Sequence, residues 1–342
     1  MLPPDESAPI RRSNTYTMSA APETSTAQEQ ALLAAARTGD EAAFSRLVEP
    51  HQAELHAHCY RMLGSVHDAE DALQETLLRA WRGLPRFEGR SSLRTWLYRI
   101  ATNTCVDAIE RRPKLESVAV DPYPDEQLGL EDGLASPAAR YEQRESVELA
   151  FLAAVQHLPA SQRAALLLRD VLGFSAKETA EALETTVASA NGALRRARAA
   201  IDERLPEQSQ QATLRQLGDE RTREVVERYM DALDRGDLEA IVAMLADDAT
   251  WSMPPMPGRY HGIDAIAGFL TDGPFRDRWR HRPARANGHL AVGCYKWDDQ
   301  RGTYVADVLD VLTLRGDRIG AVTAFVDGEL FPSFGLPSEI RA

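Results

Sequence analysis

Carboxylates at helical spacing are the first residues in this sequence that could do chemistry. Asp68, Asp71 and Glu75 recur at steps of three and four residues, so in a helix they share one face. The opposite, apolar face is predicted from Val66, Ala69, Leu73, Leu77 and Ala80. Alone, such a pattern is typical of a solvated surface helix. The motifs that follow it in the chain instead favour a functional role for this acidic face.

Residues 87–103 form a second motif, which combines aromatic, basic and amide side chains. A base taken out of the DNA stack is held best by aromatic or apolar surfaces, a few polar groups and arginines on the phosphates. Asn103 supplies an amide on the predicted helix of this motif. Trp96 falls on the apolar stripe with Leu93, Leu97 and Ile100, so core packing is predicted for it.

Two short helices are predicted next, over residues 173–183 and 185–201. Ser175 and Glu178 form a capping box, and Thr185 or Thr186 caps the second helix. This is the pattern of a helix-turn-helix, whose second helix enters the major groove of DNA. Its exposed side carries Asn191, Arg195, Arg196 and Arg198.

Together these motifs resemble the extracytoplasmic-function branch of the sigma-70 family of transcription initiation factors over about residues 30–205. The resemblance implies that the acidic helix binds core RNA polymerase through Asp68, Asp71, Gln74, Glu75 and Arg79. It implies −10 promoter contacts from Gly83, Phe87, Arg90, Arg94, Arg99 and Asn103. It also implies −35 contacts from Asn191, Arg195, Arg196 and Arg198. The turn 184–186 lacks the usual glycine and Asn191 replaces a basic residue, which leaves the promoter sequence open.

The charge distribution fits this resemblance better than the net charge does. The 342 residues carry a net charge of −13, which is unfavourable for a DNA-binding protein. Residues 86–114, however, hold seven basic and three acidic side chains, and residues 186–201 contain arginines without any acid. The net negative charge should weaken the binding of the free chain to DNA. The polymerase would then supply the affinity for the promoter.

Composition predicts several domains joined by polar segments. We expect a disordered tail (1–27), a polymerase and −10 binding domain (28–112), an acidic flexible linker (113–140), a helix-turn-helix domain (141–205), a hinge (206–221) and a C-terminal regulatory domain (222–342). The scattered cysteines form no metal-binding pair or disulfide framework. Neither the cysteines nor His51, His56 and His58 indicate a metal site, and no cofactor is expected.

The C-terminal domain has a different pattern, with helices followed by strand-like segments. Strands are predicted at 249–253, 290–297, 304–314 and 319–326, the last two joined as a hairpin by the turn 315–318. Residues 229–251 and 260–266 resemble the SnoaL-like domain, and 251–256 with 331–336 resemble the SigG-like subfamily of sigma factors. The fold class expected is therefore all-α sigma region 2 and helix-turn-helix region 4 domains, followed by an α+β SnoaL-like domain with a cystatin-like cone.

Enzymes with the SnoaL-like fold use a carboxylate or histidine in a cavity, and the candidates here are His261, His281, Asp307 and Asp310. Asp307 and Asp310 point to opposite faces of one strand, so they cannot form a dyad. We therefore expect no catalysis. A C-terminal pocket is predicted from Trp251, Met253, Tyr260 and His261, although core packing explains these residues equally well.

These observations predict a cytoplasmic sigma factor that binds core RNA polymerase and promoter DNA and nucleates melting. The expected partner of its C-terminal domain is a small-molecule ligand or an anti-sigma protein. No membrane association is expected, since no apolar run is long enough to span a bilayer. Two alternatives stay open at this point: a SnoaL-type enzyme or ligand sensor fused to a DNA-binding regulator, and a helix-turn-helix factor that binds duplex DNA without polymerase.

Overall fold

The computed structural model describes residues 23–111, 120–125, 148–206, 208–256 and 258–341. The chain divides into two compact units, residues 1–50 and 51–342. Helix α1 (Glu23–Arg37) and the start of α2 (Glu41–Leu63) lie in the first unit. Helix α1 begins inside the stretch 1–27 that was predicted to be a disordered tail, and residues 1–22 of that stretch lie outside the described residues. The sequence after Pro22 lacks proline and contains strong helix formers, which accounts for the helix.

The first half of the second unit is helical, as predicted. After the end of α2, the described residues of this half form the helices α3 (Val66–Gly83), α4 (Leu93–Arg111), α5 (Leu149–Gln156), α6 (Ala160–Leu166), α7 (Ala176–Ala182) and α8 (Val187–Asp202). A π turn, Leu167–Val171, continues α6. Ser65 caps α3 because its hydroxyl accepts a hydrogen bond from the Asp68 N–H at 3.4 Å.

The buried side of α3 differs from the predicted stripe. Its buried residues are Ala69, Ala72, Thr76 and Ala80. Leu73 and Leu77 are only half-buried, and Leu78 is 50% exposed. The predicted periodicity assigned the larger leucines to the core, whereas the close contact of α3 with α4 is made by small residues. The apolar leucines therefore border the acidic face.

The C-terminal half is an α+β domain, which confirms the expected fold class. Its elements are α9 (Gln210–Arg235), α10 (Leu238–Met244), β1 (Leu245–Ser252), β2 (Arg259–His261), α11 (Ile263–Asp272), β3 (Trp279–Ala286), β4 (His289–Asp298), β5 (Thr303–Arg315), β6 (Arg318–Phe325) and β7 (Glu339–Ile340). The strand order is β2-β1-β6-β5-β4-β3, and β7 pairs with β5. Strands β1 and β6 are parallel, and the other pairs are antiparallel.

The predicted hairpin is confirmed by the pairing of Arg315 with Arg318. Strand β3 was not predicted. It lies at the edge of the sheet, and most of its residues are at least partly exposed, so it lacks an alternating apolar pattern. Apolar residues cover both faces of the sheet, with Trp251, Leu270 and Leu312 in one cluster and Tyr295, Leu309 and Phe331 in the other.

The described parts of two predicted connecting segments form ordered structure. The hinge 206–221 contains the start of α9, where Ser209 caps the helix by accepting from the Ala212 N–H at 3.2 Å. The buried Glu148 carboxylate accepts from the N–H groups of Gln210 and Gln211 at 2.9 and 2.8 Å. These bonds satisfy the free donors of the first helical turn. Gly218, at φ 77°, breaks the helix within the segment.

The predicted acidic linker 113–140 falls largely outside the described residues, which include only 120–125 of it. In that short piece Val120 is 8% exposed and Tyr123 is fully buried. Tyr123 also joins the sheet domain, because its N–H donates to Asn287 Oδ1 at 2.8 Å and its carbonyl accepts from the Asn287 N–H at 2.9 Å. The described part of the predicted linker is therefore packed against the C-terminal domain.

Candidate functional site

The acidic face of α3 is available at the surface. The Asp71 side chain is 65% exposed and that of Glu75 is 43% exposed. Gln74 is exposed, and Asp68 is half-buried at the start of the helix. Leu78 adds an exposed apolar side chain beside these polar groups. This mixture of carboxylates and an apolar contact is suited to binding a basic protein surface.

Arg79 connects this face to the next helix. Its Nε donates to Glu75 at 2.7 Å and its Nη1 to Asp107 on α4 at 3.0 Å. The carboxylates of Glu75 and Asp107 raise the pKa of Arg79. Arg79 therefore holds the end of α3 against α4 while it remains partly exposed.

The loop between α3 and α4 places its aromatic residue against the helix. Phe87 is 8% exposed, and its ring centroid lies 4.8 Å from that of Trp96. A Cβ at Gly83 would lie 3.2 Å from the Trp96 ring, so glycine permits this close approach. Arg90 is 86% exposed and pairs with Glu88 at 3.1 Å. Phe87 and Gly83 thus lie together around Trp96, as parts of one surface.

Arg94 already has carboxylate and aromatic partners in the free chain. Its guanidinium bonds Glu54 of α2 at 2.8–3.2 Å and lies 4.8 Å from the centroid of the Tyr98 ring. The ring of Phe174, which precedes α7, lies 6.0 Å from the same guanidinium. Burial alone would raise the pKa of Glu54, but hydrogen bonds from His51 and Arg94 hold that pKa below its usual value.

Arg99 contacts the turn of the helix-turn-helix. Its Nη2 donates to Glu184 Oε1 at 3.0 Å, and the two side chains are 47% and 65% exposed. The Tyr98 and Phe174 rings meet edge to face at 5.5 Å in the same region. Two elements that were predicted to read separate promoter regions, α4 and the α7–α8 pair, therefore touch each other.

Glu184 also explains how the turn forms without glycine. It adopts φ 50°, the left-handed region that glycine usually occupies. The predicted capping box of Ser175 and Glu178 is present, and Thr186 caps α8. The sequence therefore builds the turn at the cost of some backbone strain at a residue that also binds Arg99.

Helix α8 separates its apolar and polar sides clearly. Its buried residues are Ala190, Ala193, Leu194, Ala197 and Ile201. Asn191, Arg195 and Arg196 are exposed. Arg198 is also exposed, but its guanidinium forms two hydrogen bonds to Asp170 at 2.6 and 2.9 Å. Of the four predicted −35 residues, the first three therefore point into solvent and Arg198 is tied to the π turn.

Arg163 is a buried contact that the sequence did not indicate. It is 5% exposed, and its guanidinium donates to the carbonyl oxygen of Met62 on α2 and to Gln156 on α5. A charged group in the interior is stable only when its hydrogen bonds are satisfied. Arg163 thus fastens the helix-turn-helix half to α2. A lone arginine in an alanine-rich helix gives no sequence signal for such a role.

A second contact, the 60–123–287 network, joins α2, the segment 120–125 and the C-terminal domain. Asn287 Nδ2 donates to the Tyr60 hydroxyl at 2.9 Å, and that hydroxyl donates to the Asp121 carbonyl at 2.6 Å. The rings of Tyr60 and Tyr123 stack at 4.3 Å. Asn287 has φ 54°, which asparagine tolerates better than most residues.

The sheet domain contains a cavity at the end of its apolar core. It holds about 500 Å³ of empty space, counting the part that opens to solvent. Aromatic and aliphatic side chains form most of its wall: Leu233, Trp251, Met253, Phe269, Leu270, Phe275, Trp279, Val308 and Val326. Its polar wall residues are His281, Cys294 and Asp310.

Asp310 is 3% exposed and accepts a hydrogen bond from the Tyr229 hydroxyl at 2.9 Å. The Cys294 thiol is a weak second donor at 3.6 Å. Burial raises the pKa of Asp310 to about 6, while the hydrogen bond from Tyr229 and the nearby His281 oppose that rise. The pairing of β4 with β5 skips Asp307, because Cys294 lies opposite Val308 and Tyr295 opposite Ala306. This bulge interrupts the regular alternation from which the two carboxylates were predicted to face apart.

The four residues predicted to form a C-terminal pocket are not all brought together. Trp251 and Met253 lie in the cavity wall. Tyr260 stacks on Phe269 at 4.3 Å without being a wall residue, and His261 is exposed on β2. On the short edge strand β2, Tyr260 packs against the apolar cluster, whereas Arg259 and His261 are exposed. The sequence did not single out Asp234, which holds His281 by a hydrogen bond of 2.7 Å.

The described residues contain no group of three or more histidine, cysteine or acidic side chains placed to hold a metal ion. No helix within the described ranges is long and apolar enough to cross a membrane. Cys59, Cys105 and Cys294 are buried thiols that do not pair in disulfides.

The sequence matches three known protein families in chain order. Residues 47–114 match Sigma-70 region 2, residues 148–201 match Sigma-70 region 4, and residues 226–322 match the SnoaL-like domain. The first match includes the acidic face of α3 and the whole of α4. The second includes the helix-turn-helix, and the third includes most of the cavity wall.

Whole proteins are also similar to the chain. An ECF RNA polymerase sigma factor, SigG of Mycobacterium tuberculosis, is 39% identical over 328 residues, which span 89% of this chain and 86% of SigG. The RNA polymerase sigma-H factor of Pseudomonas aeruginosa is 33% identical and covers 52% of this chain and 94% of its own length. The crystal structure of M. tuberculosis SigJ shares the fold, with a TM-score of 0.57 and 24% identity over 86% of this chain and 99% of SigJ.

Proposed function

The chain belongs to the extracytoplasmic-function (ECF) family of RNA polymerase sigma factors, and from that premise we propose which of its surfaces serve each step of initiation. As a sigma factor it binds core RNA polymerase and directs it to promoters; it is not an enzyme. A SnoaL-like domain follows the two sigma regions. We also propose that the chain acts in the cytoplasm, because core polymerase is found there.

The acidic face of α3 is the proposed docking surface for core polymerase. Asp68, Asp71, Gln74, Glu75 and Arg79 form this face, which we call the docking face. The exposure of Asp71 and Glu75 and the neighbouring Leu78 support this assignment, because an interface needs both charge complementarity and apolar contact. The docking face needs no rearrangement of the chain before it can bind.

The proposed −10 surface, the reading face, lies on α4 and the loop before it. It consists of Gly83, Phe87, Arg90, Arg94, Arg99 and Asn103. The cluster of Gly83 and Phe87 around Trp96 supports a site for an unstacked base. Arg94 and Arg99 have carboxylate partners that phosphates would have to replace.

The −35 element is assigned to α8. Asn191, Arg195 and Arg196 are exposed on one side of the helix, as groove-reading residues must be. Arg198 becomes a phosphate contact only if it leaves Asp170. The domain boundaries predicted above stay as proposals, with residues 206–221 assigned to a capped helix start rather than a free hinge.

The alternative of a duplex-binding regulator without polymerase is disfavoured by one observation. An acidic, exposed helix face directly precedes the basic helix α4, and such a face would repel DNA. A factor that needs only duplex DNA has no use for it. The juxtaposition of the docking face and the reading face is the observation that carries the proposal.

Two variants test the assignment by affecting different steps. In holoenzyme, Asn103→Ala should slow promoter melting about tenfold and leave closed-complex affinity unchanged, because an unstacked base exists only after melting. Asn191→Ala should weaken the closed complex by a similar factor, since a base contact in the major groove is worth about 1–3 kcal/mol. Permanganate reactivity of thymines measures melting, and a mobility-shift assay at low temperature measures the closed complex. Equal effects of both variants on both steps would reject the division.

A further inference from the structure

The edge strand β3 and the residues before it form a basic strip in an acidic protein. Residues 276–285 hold five arginines and one acidic residue, although the whole chain has a net charge of −13. Alternate residues of a strand point to the same side of the sheet, so Arg278, Arg280 and Arg282 share one face. The Trp297 N–H donates to the Arg278 carbonyl at 2.9 Å, which extends the pairing of β3 with β4 to Arg278. We call these three arginines the arginine row.

Aromatic rings on β4 and β5 orient two members of the arginine row. The Arg278 guanidinium lies 4.5 Å from the centroid of the Trp297 ring, and the Arg280 guanidinium lies 5.4 Å from that of the Tyr304 ring. At these distances a cation is attracted to the face of the ring. The two rings meet edge to face at 5.0 Å. A guanidinium whose face lies on a ring keeps the N–H donors at its edge available for a ligand.

The protein neutralises little of the charge of the arginine row. Arg280 and Arg282 are exposed, and no carboxylate among the described residues forms an ion pair with either of them. Arg278 pairs with Asp299 at 2.9 Å, but the two side chains are 62% and 87% exposed. Such a surface pair is weak, so an anion with several charges can replace it. The row therefore presents positive charge to an external partner.

Protection of the sheet edge is the simpler explanation for charged residues on β3. Charges on an edge strand prevent it from pairing with another sheet, but that role requires neither a single sign nor rings that orient the side chains. Two other features already block this edge. Pro283 has no N–H to offer, and Pro124 pairs with Ala286 at the end of the strand. A row of arginines with two rings behind it exceeds what edge protection requires.

We propose that the arginine row binds the phosphate backbone of duplex DNA, at a contact outside the two sigma regions. Alternate residues of a strand lie about 7 Å apart, a spacing that suits consecutive phosphates of one DNA strand. The guanidinium fork matches the oxygens of a phosphate. An unpaired base could stack on Trp297 or Tyr304 only by displacing the arginines, and Tyr304 is 7% exposed, which favours a duplex over a single strand. A contact with phosphates alone carries no sequence preference.

The full-length chain tests this proposal with a fluorescein-labelled duplex that contains no promoter, so the outcome is independent of the −10 and −35 assignments. Arg280→Gln combined with Arg282→Gln removes two charges from the row. Fluorescence anisotropy at low ionic strength should show about tenfold weaker binding. The slope of log K against log salt concentration should become shallower by about 2, because each phosphate contact contributes about 0.9 to it.

The matched control is Arg228→Gln combined with Arg259→Gln, which removes the same charge from exposed positions on α9 and β2. It should leave the salt slope unchanged, and a loss equal to that of the row variant would overturn the proposal. Arg280→Lys with Arg282→Lys keeps the charge and should keep the slope, since lysine also neutralises a phosphate.

Three further results would overturn the proposal. One is an unchanged salt slope in the glutamine variant of the row. Another is an equal loss of slope in the lysine and glutamine variants, which would indicate a disturbed strand rather than a lost contact. The third is a larger loss of affinity for one separated strand of the probe than for the duplex, which would assign the arginine row to unpaired nucleic acid.

Discussion

The proposed docking face on α3 and the proposed reading face on α4 lie on neighbouring helices, but their charged side chains are paired differently. On the docking face, Asp71 is 65% exposed and its described ion pair is a loose one, to His67 at 3.7 Å. On the reading face, Arg94 and Arg99 are bound to Glu54 and Glu184. The free chain is therefore ready to bind polymerase before it is ready to bind promoter DNA.

This difference assigns an order to the two events. Glu184 belongs to the turn of the helix-turn-helix, so Arg99 must give up this contact before it can bind a phosphate. The buried Arg163 and the 60–123–287 network hold the same closed arrangement at other points. Polymerase binding to the docking face does not require any of these contacts to break, whereas promoter reading does.

The largest expected effect comes from reversing a charge on the docking face. Asp71→Arg should weaken core polymerase binding about 30-fold, the loss typical of a central interface residue. The fold should be unaffected, because Asp71 is exposed and its ion pair with His67 is a surface pair. Fluorescence titration with core polymerase measures the affinity. Glu70→Arg makes the same charge change one residue away, outside the proposed face, and a similar loss there would show that the position does not matter.

Acidification should lower the free energy of unfolding through a buried histidine that contacts α4, and not through the exposed histidine of α3. His58 is buried and its Nε2 lies 2.9 Å from Thr102 Oγ1 on α4. Burial, with Arg61 and Arg94 adding to its effect and Glu54 opposing it, lowers the pKa of His58 to about 3. The unfolded chain takes up this proton first, near pH 6.5, so the stability is complete above that pH and is lost below it.

This contribution should amount to about 2 kcal/mol between pH 7.5 and pH 5. Urea unfolding at the two pH values should therefore show a smaller loss of stability for His58→Gln than for the wild-type chain. His67→Gln, on the exposed side of α3, should behave as the wild type does. An identical pH dependence in all three proteins would refute the role of His58.

The smallest effect is expected from the ion pair between the two promoter-reading elements. Glu184→Gln removes a half-exposed pair worth at most about 1 kcal/mol, so the affinity of the free chain for single-stranded DNA should rise by at most about fivefold. Glu181→Gln removes the same charge, but its partner Lys177 lies on the same helix. Fluorescence anisotropy with a labelled oligonucleotide measures both, and an equal rise in the two variants would show that the contact to Arg99 is irrelevant.

The sequence predicts local structure well where one short motif determines it. The capping box at Ser175, the cap at Thr186 and the turn between β5 and β6 were all predictable, because each depends on residues within a few positions. The edge strand β3 was not, since its side chains face solvent and carry no apolar period. Helix α3 was predicted, with Ala69 and Ala80 on its buried side, whereas the burial of Ala72 and Thr76 in place of Leu73 and Leu77 was not.

Contacts between residues that are distant in the chain account for the other features that the sequence did not predict. Nothing local to Asn287 indicates that it bonds Tyr60 and Tyr123, which are distant in the chain. The partners of Arg94 and Arg99 likewise depend on how helices pack, so exposed arginines were predicted where the structure has ion pairs. In the cavity, Asp310 and His281 were candidates from the sequence, whereas their partners Tyr229 and Asp234, which lie on α9, were not.

The most direct test of an open docking face and a closed reading face compares two affinities for one DNA. The probe is the non-template strand of a promoter selected from the native genome, and it is titrated with the free chain and with the chain assembled on core polymerase. The account predicts that the free chain binds this strand at least about tenfold more weakly than the holoenzyme, although it binds core polymerase without prior change. Equal affinity of the free chain and the holoenzyme for the strand would contradict it.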